Sequence, residues 1–207
     1  MNLDRKGLAG SLLSLGALQW FFSVMIAEGL HKGYNIAPDQ WIPYSNQIHY
    51  VSELGLGSTA PIFNISTIVL GLMVAFASYL LYLRNKNLLF SSLLFICGVG
   101  AAGVGVFPAN IQPVHGIFQV LALWFGAFSA ILSLRKQEIP LSYISAALGI
   151  VSFVASIVFF PYLGLGTNDI STFLGLGKGV MERIVIYPLI LWVFGYGYHV
   201  AGKKSEN

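Results

Sequence analysis

The sequence predicts an all-α integral membrane protein, built as a bundle of about six transmembrane helices. Of its 207 residues, 56% are hydrophobic and only 9% are charged, and the mean hydropathy is +0.75. Soluble domains carry about 25% charged residues, so this chain has too few of them to cover a water-facing surface. A bilayer removes that difficulty, because lipid accepts apolar side chains and each helix satisfies its own backbone polar groups.

Six segments reach the length of about 20 mostly apolar residues that a helix needs to cross the hydrocarbon core. They cover approximately residues 7–30, 61–83, 88–107, 114–134, 141–163 and 183–200. The chain has the length of one domain, so residues 1–207 are predicted to form a single six-helix unit. The first segment is expected to be retained as a helix, because it is longer than the ~7–15 apolar residues of a signal peptide.

Local sequence features support individual segments. Ser58 and Thr59 are natural caps just before the second segment, and Pro113 suits the first position of the fourth. The third segment carries Gly98 and Ala102, a spacing of small residues that lets helices approach closely. Pro188 predicts a kink in the sixth segment, because proline removes a backbone donor and clashes one turn earlier.

The distribution of basic residues predicts the orientation of the helices. Basic pairs lie at the N-terminus, in the second and fourth connections and in the tail: Arg5, Lys6, Arg84, Lys86, Arg135, Lys136, Lys203 and Lys204. The opposite side holds Lys32, Lys178 and Arg183. Because cytoplasmic loops carry an excess of lysine and arginine, we predict a multi-pass protein of the cell membrane with both termini in the cytoplasm.

Polar residues gather beside the helix ends on the side predicted to be outer, where burial without partners would be costly. Two of the outer connections are long, and loops of this length usually have a function or cover one. Candidate catalytic residues there are His49, Ser52, Glu53, His115 and Glu182. Candidate substrate-binding residues are Asn64, Asn110, Gln112 and Arg183. All are expected near one depth, where they could line one outer polar pocket.

Several of these residues also have ordinary structural explanations. His115 suits a capped histidine at the membrane interface, and Ser52 suits a turn. Glu182 and Arg183 are adjacent, so on a helix they point to different sides, and each is expected to find a partner elsewhere, such as His115 or the long loop. Asn64 is expected to form a hydrogen bond between helices.

An ordered set of motifs resembles a known family. The set consists of the segment from His49 to Gly55, then Ile62-Phe63-Asn64, Gly105-Val106-Phe107-Pro108 with His115, and Glu182-Arg183-Ile184 with Tyr187-Pro188. It is similar to a prokaryotic membrane family, domain of unknown function 998, and covers nearly the whole chain. The resemblance implies about six transmembrane helices and no settled activity. A more distant similarity, to a eukaryotic family that includes a GPI-anchor lipid-remodelling protein, favours lipid-related hypotheses.

The leading hypothesis is that the outer pocket binds or processes a lipid or a lipid-linked headgroup. Acyl or ester chemistry would need a nucleophile, a base and an orienting acid, and Ser52, His49 or His115, and Glu53 or Glu182 supply those types. The main alternative is a non-catalytic accessory or structural subunit of a membrane complex. Catalytic and non-catalytic roles both stay open.

Two further alternatives are a transporter and a redox subunit with His49 and His115 as haem ligands. Few charges fall at mid-membrane depth, which argues against an ion-coupled carrier. The histidines and Glu182 match no compact metal motif, so no metal site is predicted, and no motif identifies a cofactor. The net charge of +3 is small and scattered, so the expected partners are membrane lipids and other membrane subunits rather than nucleic acid.

Overall fold

The structure, a computed structural model, describes residues 5–37, 40–162 and 172–202. Six α-helices in it are long and apolar enough to cross a membrane. They are α1 (Arg5–Leu30), α2 (Ala60–Asn85), α3 (Leu88–Val106), α4 (Val114–Leu132), α5 (Leu141–Val158) and α6 (Lys178–Gly202). The predicted all-α, multi-pass membrane class is therefore confirmed.

Most helix boundaries fall within a few residues of those predicted, and two differ more. Helix α5 ends at Val158 rather than near residue 163, which itself lies outside the described residues. Helix α6 begins at Lys178, five residues before the predicted start. The apolar pattern could not show this, because the added turn carries Lys178 and Glu182, whose charges are offset by partners from other parts of the chain. Lys203 and Lys204 lie outside the described residues, and the cytoplasmic side of the termini stays a prediction.

Consecutive helices pack against each other, and α6 closes the arrangement by packing on α1 and α4. The closest approach of α2 and α3 occurs at glycines, as the small-residue spacing predicted. A Cβ on Gly71 would lie 2.2 Å from the backbone nitrogen of Ala102, and one on Gly98 would lie 2.5 Å from that of Ala75. Neither position can therefore take a side chain without separating the two helices.

The connections α1–α2, α3–α4 and α5–α6 meet at one end of the bundle, which we call the long-loop end. The α1–α2 connection contains a hairpin of β1 (Tyr34–Ala37) and β2 (Gln40–Ile42). Two short 3₁₀ turns follow, Ser52–Gly55 and Gly57–Thr59. A second small hairpin, β3 (Thr172–Phe173) with β4 (Leu176–Gly177), leads directly into α6.

Residues 50–55 enter the end of the bundle, and we call them the buried turn. Val51 and Leu54 are fully buried and belong to the same hydrophobic cluster as residues of the helices. Their burial removes apolar surface from water and fixes the loop over the helix ends. The polar groups of the same turn are consequently buried as well, and each requires a hydrogen-bond partner.

Candidate functional site

The carboxylate of Glu53 stabilises the buried turn from within. Its Oε2 accepts a hydrogen bond from the backbone nitrogen of Tyr50 at 3.1 Å, and its Oε1 lies 3.7 Å from Nζ of Lys178. Both side chains are only 1% exposed. The same ammonium group lies 4.8 Å from the centre of the Tyr50 ring, a favourable cation–π distance. Glu53 therefore joins the turn to the start of α6.

Glu182 joins the same turn to two helices. One carboxylate oxygen, Oε2, accepts hydrogen bonds from the backbone nitrogens of Val51 and Ser52. The other, Oε1, accepts a hydrogen bond from Nε2 of Gln119 on α4 at 2.9 Å. The side chain is 1% exposed, and all three donors point at its oxygens. Glu182 therefore holds residues 51–52, α4 and α6 together.

Arg183 points to a different side of α6 from Glu182, as their adjacent positions predict. Its Nε and Nη2 donate to Oε1 of Glu28 on α1, at 3.2 and 2.6 Å. The remaining acceptors are the hydroxyl of Tyr44, the side-chain oxygen of Asn46 and the backbone carbonyls of Asn46, His49 and Gly179. All three guanidinium nitrogens are thus engaged, so Arg183 fastens the long loop to α1 and α6.

His115 occupies the first turn of α4 and is 2% exposed. Its Nδ1 lies 2.7 Å from the backbone oxygen of Phe107. A carbonyl can only accept, so Nδ1 carries the proton and donates it. Nε2 is buried and makes no hydrogen bond within the described chain. His115 also interacts electrostatically with Glu182, and Gln119 follows it by one helical turn on the same face.

His49 and His31 form a second cluster, in the loop, where their rings pack on Tyr44 and on each other. Burial lowers the pKa of both histidines below the ordinary value of 6.5. For His49 the positive charges of His31, Lys178 and Arg183 lower the pKa further. Both rings are therefore mainly neutral at pH 7, and protonating His49 would place additional positive charge beside Lys178 and Arg183.

This pKa shift predicts a loss of stability in mild acid. Below about pH 6.5 the unfolded chain protonates its histidines, whereas the folded chain binds those protons only at lower pH, so folding stability falls as the pH drops. We expect the thermal unfolding midpoint in detergent to be level above about pH 7 and to decrease between pH 7 and 5.5. In the double variant His31→Gln/His49→Gln the decrease should be smaller. An equal decrease in both proteins would contradict the prediction.

A narrow cavity of about 90 Å³ lies inside the bundle, surrounded by α1, α2, α3, α4 and α6. On α6 its wall extends from Glu182 to Val193, which is about 16 Å along the axis at 1.5 Å per residue. The wall is formed by apolar side chains over most of this length. Its polar end lies at the buried turn, where Ser52, Gln119 and Glu182 contribute to the wall.

The family profile for the group described as protein of unknown function (DUF998) matches residues 14–199, nearly the whole chain. The protein belongs to this family. The match confirms the resemblance seen in the ordered motifs, and it brings no activity with it. Neither the search of curated proteins nor the search of solved structures gives a match.

The positions of the predicted site residues in this DUF998 protein fall into two groups. Around the buried turn the structure brings together His49, Ser52, Glu53, Asn64, His115, Glu182 and Arg183. Asn110 and Gln112 are exposed in the α3–α4 connection and do not line the cavity. Asn64 donates to the backbone oxygen of Gly55 at 3.1 Å. Its bond therefore fastens the turn to the helix that follows, and the expectation of a bond between helices was wrong.

Four residues that take part in this network were not chosen as site residues from the sequence. Gln119 lies within an apolar helix. The one sequence feature that could have indicated a role in the site is its position four residues after His115, on the same helix face. Lys178 had been counted only as a topological charge. Glu28, near the end of α1, pairs with Arg183. The hydroxyl of Tyr44 accepts a hydrogen bond from Arg183 at 2.6 Å.

The two histidines considered as haem ligands in this family member lie in different surroundings. His49 packs in the loop cluster, whereas His115 bonds to the backbone at the end of α3. Within the described ranges, no three His, Cys, Asp or Glu side chains are grouped so that they could hold a metal ion. The geometry therefore gives no support to a metal site formed by His49, His115 and Glu182.

Proposed function

We propose that this protein binds a membrane lipid in the central cavity. In this proposal an alkyl chain lies between the helices, and the polar end of the lipid contacts Ser52, Gln119 and Glu182. The observation that supports it is the form of the cavity: a long, narrow and mostly apolar space, with Glu182, Ser52 and Gln119 together at one end. That distribution matches a single-chain amphiphile.

The size of the cavity favours the alkyl chain of a lipid over a bulky lipid headgroup as its occupant. Sites for drug-sized ligands have volumes of about 300–1,000 Å³, several times the 90 Å³ found here. A bulky headgroup would therefore have to displace the buried turn, which Glu53 and Glu182 hold in place. An alkyl chain needs little width, and the bilayer on all sides of the helices supplies such chains.

Binding is better supported than chemical processing. The carboxylates of Glu53 and Glu182 are both engaged in fastening the buried turn. His115 donates to the backbone at Phe107 and makes no hydrogen bond to Ser52. A nucleophile, a base and an orienting acid in mutual contact, as hydrolysis by a serine would need, are not assembled by Ser52, His115 and Glu182.

A cavity-filling substitution tests the proposal. Ala101 lies in the cavity wall on α3, and Ala101→Leu adds three carbon atoms there. Native mass spectrometry of the wild-type protein, extracted in mild detergent, should show a discrete lipid adduct. We expect that adduct to decrease by about tenfold or more in Ala101→Leu, because overpacking a filled space typically costs about 1–3 kcal/mol.

The matched control is Ala147→Leu, the same substitution at an exposed position of α5. It should retain the adduct and show an unchanged thermal midpoint. An adduct that persists in Ala101→Leu, or the absence of any adduct in wild type, would contradict binding in the cavity.

A second candidate function is a non-catalytic accessory or structural subunit of a membrane complex. It is favoured by the same engagement of Glu53, Glu182 and Arg183, whose contacts give the long-loop end a fixed surface. If no lipid is found in wild type, this candidate becomes the leading one. Chemical cross-linking in native membranes should then identify a partner subunit. For either function we propose the cell membrane as the location, with the long-loop end outside, as the basic residues predict.

A further inference from the structure

We infer that the lipid in the cavity has an uncharged end group that donates hydrogen bonds, such as an alcohol, and not a phosphate or a carboxylate. The inference rests on the proposed function and specifies its ligand. It follows from the charges at the polar end of the cavity and from the hydrogen-bonding capacity of the groups there.

The described part of the chain places no cation where it could pair with an anionic end group. Among the described residues the cavity is lined by no lysine, arginine or histidine, and the one charged lining residue there is Glu182. The two cations nearest in the chain are engaged elsewhere: Arg183 with Glu28 and the long loop, and Lys178 with Glu53 and the Tyr50 ring. An anion buried without a partner is strongly unfavourable, and beside a carboxylate it is more so.

The hydrogen-bonding groups at this end mostly accept. Oε1 of Glu182 receives one hydrogen bond, from Gln119, and a carboxylate oxygen has capacity for a second. The side-chain oxygen of Gln119 also accepts. Nearby, Nε2 of His115 is buried and has no hydrogen-bond partner in the described chain. A hydroxyl group can donate to the oxygens of Glu182 and Gln119 and can accept from the Ser52 hydroxyl, whereas the charged oxygens of a phosphate would lie beside the carboxylate of Glu182.

The test compares two lipids that differ only by a phosphate, monooleoylglycerol and oleoyl lysophosphatidic acid. Each is titrated into delipidated, detergent-solubilised protein, and binding is measured by native mass spectrometry with both lipids in competition. We expect monooleoylglycerol to bind at least about tenfold more tightly. The phosphate of the other lipid would be buried without a cation to pair with it, and an unpaired charge of this kind discriminates against a ligand.

The variant Gln119→Lys supplies a charge control. It places a cation beside Glu182, and we expect it to reduce or reverse the preference for the uncharged lipid. Equal binding of both lipids to wild type, lost in Ala101→Leu, would overturn the end-group inference and leave cavity binding intact. Binding of neither lipid, or binding that Ala101→Leu leaves unchanged, would overturn the proposed function itself.

Discussion

Replacement of Arg183 by methionine is expected to destabilise the folded protein by about 3–5 kcal/mol, because it leaves one partner of a buried ion pair without the other. The guanidinium group is 9% exposed and Glu28 is 16% exposed. The variant also removes the donors to the backbone carbonyls of Asn46 and His49. The long loop should then detach from α1 and α6 before the helices unfold.

The measurement is thermal unfolding in detergent together with limited trypsin digestion. In Arg183→Met we expect a lower midpoint and faster cleavage after Lys32, which lies exposed at the start of the long loop. Arg84→Met is the matched control, because Arg84 is exposed at the end of α2 and such changes usually stay within about 0.5 kcal/mol. The double variant Glu28→Met/Arg183→Met should cost less than the sum of the single changes. An unchanged midpoint in Arg183→Met would show that Arg183 does not fasten the loop.

Glu182→Leu is expected to have an effect of similar size, about 3 kcal/mol or more, because a buried donor left unsatisfied costs about 1–3 kcal/mol. Three donors lose their acceptor: the backbone nitrogens of Val51 and Ser52, and Nε2 of Gln119. Glu182→Gln keeps the shape but replaces one acceptor oxygen by a donor group, so an intermediate loss should follow.

Amide hydrogen exchange separates a local effect from a general one. In Glu182→Leu, exchange should increase most in the peptide that contains residues 50–55. The control is Glu138→Leu, which changes an exposed glutamate in the α4–α5 connection and should leave exchange in that peptide unaltered. Protection of Val51 and Ser52 that survives in Glu182→Leu would mean that Glu182 does not hold the turn.

The helices could be predicted from the sequence because the bilayer imposes one requirement on all of them. A segment that crosses lipid must be apolar over its length. The hydropathy of consecutive residues is therefore enough to predict it, without knowledge of contacts between distant residues. Helix α6 was the exception at its start. Lys178 and Glu182 can lie inside a helix end only because Glu53, Val51 and Gln119 supply partners for them, and those partners are distant in the sequence.

The candidate site was only partly predictable for the same reason. His115, Glu182 and Arg183 were found because polar residues beside apolar segments need an explanation. Asn110 and Gln112 met the same criterion, but exposure to solvent accounts for them. Gln119 was missed because a single glutamine within a helix has no local signal. Its importance depends on its contact with Glu182, which lies on another helix and 63 residues along the chain.

The fastening of the buried turn has a consequence for the order of assembly. The turn lies between the first and second helices, yet two of its anchors, Lys178 and Glu182, belong to the sixth. A ribosome completes the first helices well before the last one. The buried turn is therefore synthesised before the residues of α6 that hold it. The contacts that close the long-loop end can therefore form only after α6 has been synthesised. A chain that stops before α6 lacks these two partners, so its buried turn keeps unsatisfied polar groups at the end of the bundle.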